Sequence, residues 1–144
     1  MSIDDRRTAP GATAAGLDHV RLSYLYRDDG DLDGFGSLLH EDIQVTRPDT
    51  PLGQGRAEVL RLHHAIADPA VGHHIYKVVA DGDCIAVMGR LTGARRVPCA
   101  GGEADGARGA VKSAAPGVEF ADFFTLSDEG MLLGYRRFYF AAPD

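Results

Sequence analysis

The stretch VEFADFFTLSDEGMLLGYRRFYF, residues 118–140, decides the fold. It reads as a hairpin of two strands, VEFADFFTLSDEG and MLLGYRRFYF. In the first strand Val118, Phe120, Phe124 and Leu126 share one face, because side chains alternate with period two. Asp122 sits in the middle of that apolar face. A carboxylate there is costly unless it is paired, hydrogen-bonded or kept protonated. Asp122 is therefore where the sequence gives up stability for something else.

The second strand has two possible registers. Either Tyr135, Arg137 and Tyr139 face inward, or Arg136, Phe138 and Phe140 do, and a slip of one residue decides between them. Leu132, Phe138 and Phe140 need cover, under helices or in a dimer interface. Upstream, HHIYKVVADGDCIAVMGRLTG reads as two strands joined at Asp81-Gly82-Asp83, with Met88 and Arg90 as a like pair and Arg90 directed into the interior. Residues 95–117, rich in Gly and Ala, read as a long loop. Further upstream, residues 56–67 form a helix ended by Asp68-Pro69. PDTPLGQG is a loop, and IQVTRP is a short strand ended by Pro48. A short helix carries Phe35, Leu38 and Leu39, after the turn signal DDGDLDG. Leu17, Val20, Tyr24 and Arg27, broadened by Leu22 and Leu25, place a helix over residues 15–28. Helices come first and an antiparallel meander follows. The fold class is α+β, with helices packed on one face of a curved sheet.

The chain of 144 residues suits one domain, residues 15–144, preceded by a flexible tail over 1–14. Apolar content of 44% and charged content of 25% are those of a soluble globular protein. A net charge of −6 with interspersed signs argues against nucleic acid and anionic membrane as partners. No apolar run is long enough to span a bilayer, and the N-terminus lacks the apolar core of a signal peptide. Cys84 and Cys99 form no CxxC, one packing in a strand and the other lying in a loop, which fits a reducing cytoplasm. Histidine spacing supports no metal site, and no phosphate-cradling or GxSxG motif occurs.

Four pieces in this order, YRDDGDLDGFGSLLHEDIQVTRP, GQGRAEV, VVADGDCIAVMGRL and VEFADFFTLSDEGMLLGYRRFYF, resemble the nuclear transport factor 2-like superfamily. Within it the chain is most similar to the SnoaL-like polyketide cyclases and ketosteroid isomerases. The resemblance implies a cone-shaped curved antiparallel sheet closed by the N-terminal helices. It also implies a pocket inside the cone, a homodimer through the convex face, and chemistry on a hydrophobic small molecule without a cofactor.

By position Asp122 resembles the pocket aspartate of that branch. Ketosteroid isomerases keep it protonated as an oxyanion-hole donor, and SnoaL-like cyclases use it as an acid/base, both through a raised pKa. The alternative is a structural Asp122, bonded to a buried tyrosine. The proton-abstracting aspartate of the isomerases has no counterpart, since Arg47 stands there, before Pro48. Arginine cannot act as a base at neutral pH. Arg47 is a candidate to hold an anionic oxygen, or to pair with Asp122 and lower its pKa. Asp49 is either the replacement base or a turn residue. His63 shares the buried face of its helix and aligns with a second pocket tyrosine of some isomerases, which makes it an acid/base candidate. His64 points outward, and of His73 and His74 at most one faces the pocket. Ser23 occupies the place of the isomerase oxyanion-hole tyrosine, with Tyr24 next to it as a substitute.

The expected catalytic set is Asp122, His63 and Arg47. The expected substrate-binding set is Tyr24, Tyr135, Tyr139, Met88, Arg90, Phe120 and Phe124. The reaction class is aldol cyclisation, isomerisation or dehydration of a polyketide-like biosynthetic intermediate. The alternatives are an epoxide hydrolase or cyclic-ether former on the same fold, and a non-catalytic dimeric binding module.

Overall fold

The structure is a computed structural model that describes residues 10–93 and 117–140, with side chains from residue 13 onward. Helix α1 spans Pro10–Asp29, α2 Leu32–Ser37 and α3 Arg56–Ile66. The strands are β1 Leu39–Thr46, β2 Gly53–Gln54, β3 Val71–Asp81, β4 Cys84–Gly93, β5 Glu119–Leu126 and β6 Leu132–Tyr139. They form one curved sheet in the order β2-β1-β6-β5-β4-β3, open rather than closed into a barrel. This is the expected α+β architecture. The tail over residues 1–9, Cys99 and nearly all of the 95–117 loop lie outside the described residues.

Helix α1 begins at Pro10, so residues 10–14, expected in the tail, are helical. Proline is well placed at the start of a helix, and the alanines that follow favour its continuation. Gly16, Val20, Ser23, Tyr24 and Arg27 are its buried residues among those described, a stripe with helical spacing. Leu25, expected to widen that stripe, is exposed. The short second helix stops before Leu38 and Leu39; Leu38 caps it and Leu39 opens β1. Part of the expected loop PDTPLGQG forms β2, which pairs with β1 through Gln44 and Gln54.

Strands β3 to β6 form the predicted antiparallel meander, with Asp81 and Cys84 paired across a turn in which Gly82 has φ +63°. One pairing departs from it: β1 runs parallel to β6. Tight turns force consecutive strands to alternate, but no turn joins β1 to β6, so their direction is free. Cys84 is exposed, not packed in its strand as one cysteine was expected to be.

Between helices and sheet lies a core that includes Val20, Phe35, Leu39, Ile43, Val87, Phe120, Phe124, Leu126 and Leu132. Gly89 on β4 leaves no room for a side chain between β3 and Phe120. A Cβ there would lie 2.4 Å from the His74 carbonyl oxygen and 2.9 Å from Phe120 Cζ. The register of β6 is settled by burial: Tyr135 and Arg137 face inward, while Arg136, Phe138 and Phe140 face out.

Candidate active site

Asp122 lies on β5 directly opposite Arg137 on β6 and is fully buried, with 0% exposure. Arg137 Nε donates to Asp122 Oδ1 at 2.8 Å and Nη2 to Oδ2 at 2.8 Å, a bidentate pair. Tyr24 donates its hydroxyl to Oδ2 at 2.5 Å, and Tyr135 does so at 3.2 Å. Burial alone would raise the Asp122 carboxyl, but the Arg137 charge and hydrogen bonds hold it below the usual carboxylate value. The raised pKa expected for a proton carrier is reversed, and the expected partner Arg47 is replaced by Arg137. Of the two inward residues flanking Asp122 on β5, Phe120 carries the Arg137 guanidinium 4.2 Å above its ring, and Phe124 stacks on Tyr135 at 4.8 Å. Both belong to the floor of the core. Asp122 does not line the cavity.

The cavity, about 360 Å³, opens between the C-terminal end of α1, the end of α3 and the inner face of the sheet. Its polar wall includes Arg27, Arg47, Arg137, His63, His73, Asp28, Asp49 and Tyr139, with Asp29, Asp31, Asp68 and His64 toward the exposed side, and Phe35, Ile66, Val71 and Leu91 among its apolar residues. Arg47 is paired with Asp49, Nε to Oδ1 at 2.7 Å and Nη2 to Oδ2 at 2.8 Å. Tyr139 joins them, donating to Asp49 Oδ2 at 3.0 Å and accepting from Arg47 Nη2 at 3.1 Å. Burial would raise Asp49, but the hydrogen bond and charge of Arg47 hold it below its ordinary value, which makes it a weak base. Asp49 is a turn residue, as one of its two readings had it, and it also lines the cavity.

His73 faces inward and His74 is exposed. Asp28 Oδ1 lies 2.6 Å from His73 Nδ1, and Asp28 Oδ2 accepts from the His73 backbone N–H at 3.0 Å. A carboxylate only accepts, so Nδ1 carries the proton and Nε2 is left with its lone pair. Burial pushes His73 down to about 4, against the upward pull of Asp28. His63 packs on the Phe35 ring at 5.1 Å. Burial and the charges of Arg27, Arg47 and Arg137 push it down to about 3. Both rings are therefore neutral at pH 7. His64, expected to point outward, is exposed at the cavity mouth.

Of the sequence-derived candidates, the cavity brings together His63, Arg47, Arg137's neighbour Tyr139, and Asp49. Tyr24 and Tyr135 serve Asp122 beneath it. Ser23 is buried, with its hydroxyl on the Val20 carbonyl. Met88 and Arg90 are a correction: both are exposed on the outer face, because Val87, Gly89 and Leu91 take the inward positions of β4. Asp28 and Arg27 are cavity residues that pattern reading did not assign. Their signal was the polar end of an otherwise apolar helical stripe. Among the described residues no cluster of His, Cys, Asp and Glu could hold a metal ion, and no helix is long and apolar enough to cross a membrane.

The fold is shared with solved structures of low sequence identity. A candidate ketosteroid isomerase from Kribbella flavida superposes with a TM-score of 0.69 at 19% identity, over 94% of this chain and 85% of that one. A candidate SnoaL-like polyketide cyclase from Jannaschia sp. does so with 0.69 at 18%, over 91% and 88%. A candidate polyketide cyclase from Sinorhizobium meliloti gives 0.62 at 21%, over 84% and 94%. No curated protein matches in sequence. The sequence pattern of the SnoaL-like domain matches residues 9–133, so the chain belongs to the SnoaL-like domain family.

Proposed function

We propose that the chain is a cytoplasmic acid/base enzyme that takes a hydrophobic, polyoxygenated small molecule through an enolate, in a cyclisation, isomerisation or dehydration. The observation that carries this reading is the His73–Asp28 pair in the wall of a cavity lined by three guanidiniums. Among the cavity groups His73 is the better base. Asp49 is held down by Arg47, and His63 lacks the carboxylate that supports His73. In the reaction His73 Nε2 takes a proton from a carbon next to a carbonyl. The C–H electron pair becomes the new C=C bond and the C=O π pair moves to the oxygen, which the uncommitted N–H groups of Arg137 and Arg47 would hold. Asp28 stabilises the imidazolium, which returns its proton to carbon or to a departing oxygen. Asp122 acts one layer below, by fixing the Arg137 fork.

The test is solvent-deuterium incorporation at the acidic carbon of cyclic β-diketone probes, followed by NMR. Wild type should accelerate exchange, His73→Ala should lose about 100-fold or more, and Asp28→Asn should lose less. Exchange at the wild-type rate in His73→Ala sinks the base assignment. No acceleration by wild type would favour a binding module instead. We also propose a homodimer through the outer sheet face, which exposes Met88, Phe123, Phe138 and Phe140.

A further inference from the structure

The acid/base reading leaves one cavity cation without a task. Arg27 sits in the last turn of α1, only 8% exposed. Its guanidinium carbon lies 4.6 Å from the Tyr24 ring centre, 5.0 Å from Phe35 and 5.1 Å from Tyr135. Nε donates to the Ser23 carbonyl at 3.0 Å, Nη2 to Ser23 Oγ at 3.2 Å and Nη1 to the Tyr135 hydroxyl at 3.1 Å. All three acceptors are neutral. A guanidinium has five N–H groups, so two are uncommitted, one on each terminal nitrogen.

The other two guanidiniums of the cavity are each neutralised by a carboxylate, Arg47 by Asp49 and Arg137 by Asp122. Among the described residues Arg27 has no such partner. The remaining acids of the cavity are engaged elsewhere or hydrated. Asp28 is turned to His73. Asp31 caps α2 by accepting from the Gly34 N–H, and Asp68 accepts from the Ala70 N–H. Asp29, Asp31 and Asp68 are exposed at the mouth, where water screens them. The deep end thus holds a desolvated positive charge with two free donors, a condition that is costly until an anion arrives.

We propose that Arg27 recognises a carboxylate on the substrate, so that the ligand is a carboxylic acid on a mostly apolar ring skeleton rather than a neutral ketone or ester. This deepens the preceding reading and rests on it only in taking the cavity as the substrate's place. The skeleton lies against Phe35, Val71 and Leu91, and the carboxylate takes the two uncommitted N–H groups of Arg27. His63, which has no polar partner among the described residues, offers a ring N–H as a further donor. Burial first, and then the Arg27 charge, lower its titration.

The test is binding by calorimetry at pH 7. Benzoate, 2-naphthoate and anthracene-2-carboxylate are each compared with their methyl esters. At least one acid should bind ten times or more tighter than its ester. Arg27→Gln should remove that preference, and Arg27→Lys should keep part of it. The His63 titration midpoint, followed by histidine NMR, should rise by a unit or more with the acid bound and stay put with the ester. If no acid out-binds its ester, or if Arg27→Gln keeps the preference, the proposal is overturned. Should Arg27→Gln fail to fold, the wild-type comparison and the His63 midpoint decide alone. Acid preference without any deuterium exchange would uphold the carboxylate site and sink the proposed reaction. Exchange without acid preference would do the reverse.

Discussion

His63 and His73 are kept neutral by burial and by the same guanidiniums, and this has a consequence for stability. In the unfolded chain both titrate near 6.5, while in the fold they are held at about 3 and about 4. Between those values the unfolded state binds more protons than the folded one. Their contribution is therefore complete above about 6.5 and is lost as pH falls toward 4 and 3. The slope is about 1.4 kcal/mol per pH unit for each histidine. Urea unfolding between pH 7 and 4.5 should show this decline, and His63→Gln should remove about one proton from the slope. Equal slopes would mean that His63 titrates normally. At this scale the sequence was partly legible. The spacing of His63 from Val59 and Ile66 placed it on an inner helix face, and alternation left one of His73 and His74 inside. The Asp28 partner was not legible, because Asp28 and His73 meet only when the end of α1 is laid across the start of β3.

The hairpin of β5 and β6 is clamped at its centre by Asp122 and Arg137, which are opposed in register with no exposed charge. Removing one partner of such a pair strands the other. Asp122→Asn should destabilise the fold by about 3–5 kcal/mol in chemical denaturation, and Asp122→Leu combined with Arg137→Met should recover much of that loss. A double variant as unstable as the sum of the single ones would mean that the two residues act independently. Period-two reading put Asp122 on the buried face, and that held. It offered Arg47 as a partner and not Arg137, because β6 read equally well in two registers. The choice falls to packing: Phe124 stacks on Tyr135, and Phe120 lies opposite Tyr139, which together fix the slip. The outward turn of Met88 and Arg90 follows from the same alternation, once Val87 and Gly89 are known to face in.

At the scale of the molecule, the outer sheet face gathers exposed apolar side chains from neighbouring strands among the described residues. Phe123 and Phe138 meet edge to face at 5.8 Å and are 42% and 44% exposed. Met88 lies one strand away, across Ala121. The proposed homodimer predicts sedimentation as a dimer at micromolar concentration, and Phe138→Lys should shift it to monomer. A wild-type monomer would refute it. The order of elements and the α+β class were legible, since each hairpin carries its own turn signal. The parallel pairing of β1 with β6 was not, since nothing local encodes a contact between strands so far apart in the chain. That pairing sets an order in time. Residues of β1 and its following loop supply Arg47 and Asp49, and β6 supplies Arg137 and Tyr139. On the ribosome the helices and first strands emerge well before β6 does. The slot between β1 and β5 stays open until then, with two sheet edges unpaired. The nascent chain cannot bind its ligand early, and its most aggregation-exposed interval is the one just before the last strand closes the sheet.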